Sequence, residues 1–159
     1  MGESSHLNSK GEVHMVDISA KAETRRFAHA RAGVRFGVEA RRAVEADQLE
    51  KGELWATARL AGIMAAKRTA ELIPLCHPLP LTSVMVDMVL VDYGIEIDAK
   101  IQTDGKTGVE MEALTAASIA ALTVYDMLKS IEQGIELTSV VVIEKSGGRR
   151  GTYRRDESS

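Results

Sequence analysis

The chain has 159 residues, with 20 Lys and Arg against 23 Asp and Glu and a formal net charge of −3. This length suits one domain with a substantial core, and the weakly negative charge gives no general attraction to nucleic acid or to an anionic membrane. The single cysteine excludes an intrachain disulfide, and no apolar run approaches the roughly 20 residues of a membrane span.

The first half of the chain predicts a strand followed by helices. From 25 to 38, apolar residues take the even positions and charged residues several of the odd ones, a period of two that indicates a half-buried strand. Residues 38–50 are charged with scattered apolar positions and suit a short helix. Residues 53–72 carry many small side chains and predict a longer helix, which Pro74 stops.

A hairpin is predicted in the middle of the chain. Residues 82–91 are rich in Val and Met, and residues 95–103 alternate apolar and polar side chains. The turn signal Asp92-Tyr93-Gly94 separates the two runs, which therefore predict antiparallel neighbouring strands.

The remainder predicts one helix and one strand. Residues 109–133 have a helical pattern, with Thr107 and Glu110 spaced as a capping box and Gly134 placed as the glycine that follows a helix. Residues 136–145 contain a run of β-branched side chains and predict the last strand.

This order of elements predicts an α+β fold. Strand, helices, strand, strand, helix, strand is the split βαβ or ferredoxin-like plan, an antiparallel sheet with helices packed on one face. We expect residues 12–150 to form the single domain, and residues 1–11 and 151–159 to be flexible ends rich in Ser, Gly and charge.

All three prolines of the chain lie in residues 73–80. Because proline fixes φ and restricts the preceding residue, His77 is expected in an extended segment that aims its imidazole, as a proton-handling group requires. A rigid connector with an incidental Cys76–His77 pair is equally compatible with the pattern. Adjacent ligands without a second pair make a poor zinc site.

The predicted helix after Gly108 has thirteen consecutive uncharged residues, 113–125, before Asp126 and Lys129. A helix that is apolar nearly all round is buried, and residues three apart share a face, so these charges should pair inside or at the edge of the core. Partial burial could lower the pKa of the lysine, an effect that the carboxylate opposes. From the residues alone, a structural ion pair is favoured over a catalytic one.

Two stretches of the sequence suggest a site that binds an anion. Residues 105–108 resemble the end of a phosphate-binding P-loop, but the glycine required five residues earlier is replaced by Lys100, which excludes a nucleotide triphosphatase. Residues 145–151 place three cations on a glycine-rich turn and are the better phosphate candidate, with a frayed basic tail as the alternative.

A series of motifs occurs in fixed order along the chain. They are HMVD at 14–17, KGE at 51–53, ATAR at 56–59, AAKRT at 65–69, LIPLCHPL at 72–79, TGVEMEALTAAS at 107–118, YDM at 125–127 and KSGG at 145–148. Together, over residues 7 to 151, they resemble the cyclic pyranopterin monophosphate synthase family, molybdenum cofactor biosynthesis protein C.

This resemblance implies a lyase built from ferredoxin-like subunits, and the single cysteine suits a reducing, cytoplasmic location. The family resemblance further implies a homohexamer assembled as a trimer of dimers, with an active site at the dimer interface fed by both chains. The implied small-molecule substrate is cyclo-dihydro-GTP from a preceding radical enzyme, and the products are cyclic pyranopterin monophosphate and pyrophosphate. No cofactor, metal, nucleic acid or membrane is expected to take part.

The resemblance also assigns roles to residues. The implied catalytic residues are Asp126, Lys129, Lys51 and His77. The implied substrate-binding residues are Leu75, Cys76, His77, Glu110, Met111, Glu112, Lys145 and Arg26. In the implied mechanism, Asp126 and the lysines transfer protons while the purine-derived ring opens and recloses, and a ribose-derived hydroxyl then expels pyrophosphate.

Two alternatives belong to other functional classes. A nucleic-acid-binding module on the same fold would need exposed aromatics and a basic surface, whereas aromatic residues make up 4% of this chain. A non-catalytic regulatory domain that binds a nucleotide or pterin and forms oligomers would have no use for cations beside Asp126.

Overall fold

The computed structural model describes residues 10–47, 49–148 and 151–156. Five strands and four helices are formed by these residues. In chain order they are β1 (Thr24–Arg35), α1 (Val38–Glu45), α2 (Leu54–Lys67), α3 (Thr69–Leu72), β2 (Leu81–Val91), β3 (Gly94–Gly105), α4 (Glu110–Leu128), β4 (Glu136–Ser146) and β5 (Tyr153–Arg154).

The strands form one sheet in the order β2-β3-β1-β4-β5, with antiparallel neighbours throughout. The long helices α2 and α4 pack against each other and against the sheet. Strands β1 to β4 have the ferredoxin-like order, which confirms the predicted α+β fold. The sequence did not predict β5, which lies in the stretch expected to be flexible.

The core lies between the sheet and the helices. Alternate side chains of the two central strands point into it, and this confirms the period of two in β1. The fully buried ones on β1 are Ala28, Ala30, Ala32 and Val34, and those on β3 are Ile95, Ile97, Ala99 and Ile101. Small side chains on β1 let α4 lie close to the sheet, since α4 itself presents a row of buried alanines.

Helices α2 and α4 approach each other closely at Gly62. A Cβ atom at this position would lie 3.0 Å from the carbonyl oxygen of Ala116 and 3.3 Å from the Cβ of Ala120. The small residues of the predicted helix 53–72 therefore serve helix packing.

The predicted helix 53–72 is in fact two helices. The carboxylate of Glu53 accepts hydrogen bonds from the backbone N–H groups of Trp55 and Ala56 and begins α2. At the other end Arg68 leaves helical geometry, and the Thr69 hydroxyl donates to the Ala65 and Ala66 carbonyls. Those carbonyls are satisfied by a side chain, so the helix can end before Pro74.

The short helix α1 confirms the interpretation of residues 38–50. Its N-terminus is closed by a distant residue, because the Glu132 carboxylate accepts from the backbone N–H groups of Gly37 and Ala40 at 2.7 and 3.4 Å. The chain between β1 and α1 is thereby tied to the segment that follows α4.

Both predicted end signals of α4 are wrong. No side chain caps Val109, the residue before the helix, and the Glu110 carboxylate that should complete a capping box is bonded to Lys145. The helix ends at Leu128, so Gly134 lies too far along the chain to be its terminal glycine. The tertiary ion pair has replaced the local cap.

By length and composition alone, α4 could cross a membrane, since an 18-residue window of this 19-residue helix has a mean hydropathy of 1.2. In this fold 56% of that window is buried inside the domain. It is the core helix on which the sheet packs, which explains its long uncharged run.

Candidate active site

The first cluster of predicted site residues lies at the C-terminal end of α4. Lys51, in the loop before α2, donates from Nζ to the Asp126 carboxylate Oδ2 and to the Asp126 backbone carbonyl, both at 2.7 Å. Lys129 donates to Oδ1 of the same carboxylate, also at 2.7 Å. One carboxylate is therefore held between two ammonium groups, and the predicted pairing of Asp126 with Lys129 is confirmed.

Electrostatics fix the charge of this cluster. Hydrogen bonds from Lys129 and from Lys51 lower the pKa of Asp126 to about 2. The Asp126 carboxylate in turn raises the pKa of Lys129. The side chain of Asp126 is 53% exposed and the next two residues, Met127 and Leu128, are buried, so of the two expected positions the pair lies at the edge of the core and not inside it. The hydrogen bond and charge of Asp126 outweigh the opposing effect of burial on the Lys129 pKa.

The second cluster surrounds a cleft of about 990 Å³ at the opposite end of α4. Its walls are the segment before β1, the proline-rich connector 73–80, the loop between β3 and α4, and the end of β4. All eight residues predicted to bind substrate line this cleft. The fold thus brings together residues from four separate parts of the sequence.

His77 is held in the cleft by the N-terminal segment. Its Nε2 lies 2.8 Å from the backbone carbonyl oxygen of Val16. Because a carbonyl can only accept, Nε2 carries the hydrogen and Nδ1 is left as an acceptor. Lys106 donates to the Ser19 carbonyl at 2.9 Å and fastens the same segment across the cleft.

Glu112 projects into the cleft from the first turn of α4. It is 4% exposed, and its Oε2 has no hydrogen-bond partner among the residues that the structure describes. Burial, reinforced by the nearby charge of Glu110, raises the pKa of Glu112. The protonated form of Glu112, which both donates and accepts hydrogen bonds, is therefore more accessible than in an exposed glutamate.

Cys76 lies beside this carboxyl group. Burial, together with the charge of Glu112, raises the pKa of the Cys76 thiol, so the thiol form is favoured over the nucleophilic thiolate. Within the described residues there is no group of three or more His, Cys, Asp or Glu side chains able to hold a metal ion.

The cationic side of the cleft is formed by Arg26 and Lys145. Lys145 donates to Glu110 at 2.7 Å, and Arg26 donates from Nε to the Gly105 carbonyl at 3.2 Å. Burial alone would raise the pKa of Glu110, but the hydrogen bond and charge of Lys145 lower it overall. Glu110 is therefore ionised, and Lys145 enters the cleft as half of an ion pair.

The glycine-rich turn after β4 wraps around Arg26. Gly147 and Gly148 have φ values of +93° and +79°, which side-chain-bearing residues rarely adopt. A Cβ atom at Gly148 would collide with the Arg26 guanidinium. The other two cations of the predicted phosphate turn, Arg149 and Arg150, lie outside the described residues.

The sequence did not predict some of the residues that shape the cleft. Val16 and Ser19 act through backbone carbonyls, for which no side-chain signal exists, although the motif HMVD at 14–17 ends beside them. The sequence assigns no role to Lys106 once a P-loop is excluded, and in the structure its ammonium group binds a carbonyl oxygen.

The two clusters do not meet within one chain. Sixteen residues of α4 separate Glu110 from Asp126, which corresponds to about 24 Å at 1.5 Å per residue. The residues predicted to act together therefore lie at opposite ends of the longest helix.

Comparisons with known proteins cover nearly the whole chain. A family model described as the MoaC family matches residues 15–148. A protein of Thermomicrobium roseum named cyclic pyranopterin monophosphate synthase is 53% identical over 159 residues, covering 99% of this chain and 96% of its own length. The protein of that name from Heliobacterium modesticaldum is 50% identical, with coverages of 96% and 97%. A cyclic pyranopterin monophosphate synthase 2 of Mycobacterium tuberculosis is 51% identical, with coverages of 97% and 92%.

Proposed function

The chain belongs to the MoaC family, and on that premise we propose that it is a cyclic pyranopterin monophosphate synthase, a lyase of molybdenum cofactor biosynthesis. Its substrate is cyclo-dihydro-GTP, and its products are cyclic pyranopterin monophosphate and pyrophosphate. The observation that carries the proposal is the Asp126 carboxylate, held at 2.7 Å by both Lys51 and Lys129.

This cluster suits the proton transfers of the reaction. Opening and reclosing a nitrogen-containing ring needs protons to be delivered and removed at several atoms. The raised pKa of Lys129 keeps it charged as a proton donor, while Asp126 stays ionised and orients both ammonium groups. We assign the acid and base steps to Lys51 and Lys129. Asp126 orients both ammonium groups and exchanges protons with them.

The cleft suits binding of the nucleotide. The buried Oε2 of Glu112, which has no partner among the described residues, can accept a hydrogen bond from the edge of a purine or pterin ring, and the protonated carboxyl can also donate one. His77 is oriented by Val16 so that its Nδ1 can accept a proton or a hydrogen bond. Arg26 and Lys145 face the phosphates, where positive charge offsets the charge of the departing pyrophosphate.

A complete site requires two chains in this proposal. The roughly 24 Å along α4 between the clusters exceeds the reach of any side chain, so the two clusters of one protomer cannot act on the same reacting atoms. In a two-fold dimer, the Asp126 cluster of one protomer can face the cleft of the other, and both sites form at once. We propose such a dimer, assembled three times into a homohexamer.

The surface charge and the packing of α4 support a proposal about where the enzyme acts. We propose a cytoplasmic enzyme whose domain spans residues 12–150. Neither nucleic acid nor membrane is a partner, because the net charge is −3 and the long apolar helix α4 is packed on the sheet.

The test is pyrophosphate release from cyclo-dihydro-GTP by purified variants. We expect Asp126→Asn and Lys51→Ala each to lower kcat by about 10²-fold or more, as is usual when a positioned acid or base is lost. Matched controls are Asp87→Asn, exposed on β2, and Lys67→Ala, exposed in the last turn of α2. Both controls should retain wild-type turnover. Undiminished turnover in Asp126→Asn and Lys51→Ala would refute the assignment.

A further inference from the structure

The segment after Gly151 lies beyond the residues 15–148 that the family model matches, and it returns along β4. Tyr153 pairs with Lys145, and the Arg155 N–H donates to the Ile143 carbonyl at 2.8 Å. Because side chains alternate along an extended strand, Tyr153 and Arg155 share one face while Arg154 takes the other. The Arg154 guanidinium accordingly pairs with Glu144 on that other face.

The shared face of Tyr153 and Arg155 lines a second cavity, of about 440 Å³, which is open to solvent. This volume is within the range of about 300–1,000 Å³ that is usual for small-molecule sites. Lys145 and Glu110 line this cavity and also the main cleft, so their ion pair is a wall common to both. The second cavity is thus directly adjacent to the cationic side of the first.

The charge of the second cavity is positive. Glu110 and Lys145 offset each other across 2.7 Å, whereas the Arg155 guanidinium has no ion pair within the described part of the chain. The Tyr153 hydroxyl is a further donor on the same wall. An ion-paired lysine, a guanidinium and a phenol together favour an anion with several oxygens.

We propose that this cavity is a subsite for pyrophosphate, with Arg155 as its principal cation and Lys145 as the group shared with the main cleft. The proposal rests on the proposed function, because pyrophosphate is the group which that reaction releases beside Lys145. A guanidinium grips two phosphate oxygens at once, so Arg155 can hold the product after the bond to the α-phosphorus has broken. The terminal segment then governs release of this product.

The test is calorimetric titration of the full chain with sodium pyrophosphate. Arg155→Gln should weaken binding about tenfold, the loss expected for one charge-assisted contact of about 1.4 kcal/mol. The matched control is Arg154→Gln, which removes the same charge from the neighbouring position but on the opposite face of β5. Arg154→Gln should change the affinity for pyrophosphate by less than about twofold, since the Arg154 guanidinium lies on the other side of the strand and its charge is largely screened from the cavity.

Three results would overturn the subsite: equal weakening by both substitutions, wild-type affinity in Arg155→Gln, or no binding to the wild type at millimolar pyrophosphate. In turnover assays Arg155→Gln should also raise the inhibition constant of added pyrophosphate by the same factor. A wild-type protein that releases no pyrophosphate from cyclo-dihydro-GTP would overturn the proposed function itself. That assay is separate from the titration, so the two failures are distinguishable.

Discussion

Two glutamates near the start of α4 differ in the protonation state that their surroundings favour. Glu110 bonds to Lys145 and has a lowered pKa, whereas Glu112 is buried without a partner for its Oε2 and has a raised pKa. Residues two apart on a helix point in different directions, so a cation that reaches the first does not reach the second. The Glu110 carboxylate is stabilised by an ion pair, whereas the Glu112 carboxyl is buried without one and faces the cleft.

This difference predicts opposite effects of the two Glu→Gln substitutions on stability. Since the folded-state pKa of Glu112 lies above its ordinary value of 4.5, the wild type loses stability as pH rises from about 4.5 through that raised pKa. Glu112→Gln should avoid this loss and unfold with a free energy higher than the wild type by roughly 1 kcal/mol at neutral pH. Urea denaturation at several pH values measures the difference.

Glu110→Gln is the matched control. The folded-state pKa of Glu110 is lowered, so its stabilising contribution is present above pH 4.5 and is lost as pH falls through the lowered pKa. This variant should be less stable than the wild type at pH 7, by an amount that shrinks towards acidic pH. The protonation assignment fails if the two variants respond to pH in the same direction.

At the scale of elements, the contact between α2 and α4 determines how closely the helix layer can pack. It depends on Gly62, where the nearest atoms to an added Cβ are a backbone oxygen at 3.0 Å and a Val86 methyl group at 3.2 Å. A backbone oxygen cannot rotate away, so a larger side chain there must push the helices apart. Helix α4 carries proposed site residues near both of its ends, and Lys51 lies in the loop just before α2.

Gly62→Val should therefore lower the free energy of unfolding by about 1–3 kcal/mol, the usual cost of overpacking. The control is Ala56→Val on the exposed side of α2, which should cost only the helix propensity of valine, about 0.5 kcal/mol. Chemical denaturation followed by circular dichroism measures both. Equal losses in the two variants would show that the close approach at Gly62 does not matter.

The strands and the helix types could be predicted from the sequence because their signals are local. The period of two in β1 and the uncharged run of α4 are set by the faces that the core covers. The helix ends could not be predicted, since Glu110 is bonded to Lys145, 35 residues away, and Glu132 caps a helix more than 90 residues earlier. A local pattern does not contain such partners.

The candidate site likewise has a part that local sequence spacing predicts and a part that it does not. The pairing of Asp126 with Lys129 follows from their i, i+3 spacing, but Lys51 joins them from 75 residues away. Its membership was implied only by the family resemblance. The pKa of Asp126 depends on all three groups, and the spacing of two of them could not indicate its value.

At the scale of the whole molecule, α4 acts as a rigid spacer between the two clusters. Its first turn supplies Glu110 and Glu112 to the cleft, and its last turn supplies Asp126 to the lysines. A helix does not shorten, so relative motion within one chain cannot bring the clusters together. The proposed synthase activity therefore depends on association of chains.

Mixing two inactive variants tests this dependence. His77→Ala removes a residue of the cleft and Asp126→Asn one of the distant cluster, so each homodimer is expected to be inactive. After subunit exchange, half of the dimers in a random mixture carry one intact site out of two, which should restore about a quarter of wild-type turnover. Light scattering should give six times the 17.2 kDa chain mass.

Failure of the mixture to regain activity, despite proven subunit exchange, would mean that both clusters serve a site within one chain. The control mixture joins His77→Ala with Glu112→Ala, both in the same cleft. A mixed dimer of that pair has no intact cleft, so it should stay inactive.

The bonds of Lys51 also have a consequence for the catalytic cycle. An ammonium group has three N–H bonds, and two of those on Lys51 are directed to the Asp126 carboxylate and to the Asp126 carbonyl near the end of α4. If the third proton is the one delivered to substrate, the neutral amine still has two N–H bonds for the same two acceptors. The end of the helix then stays capped while the lysine alternates between acid and base, and each turnover begins from an unchanged scaffold.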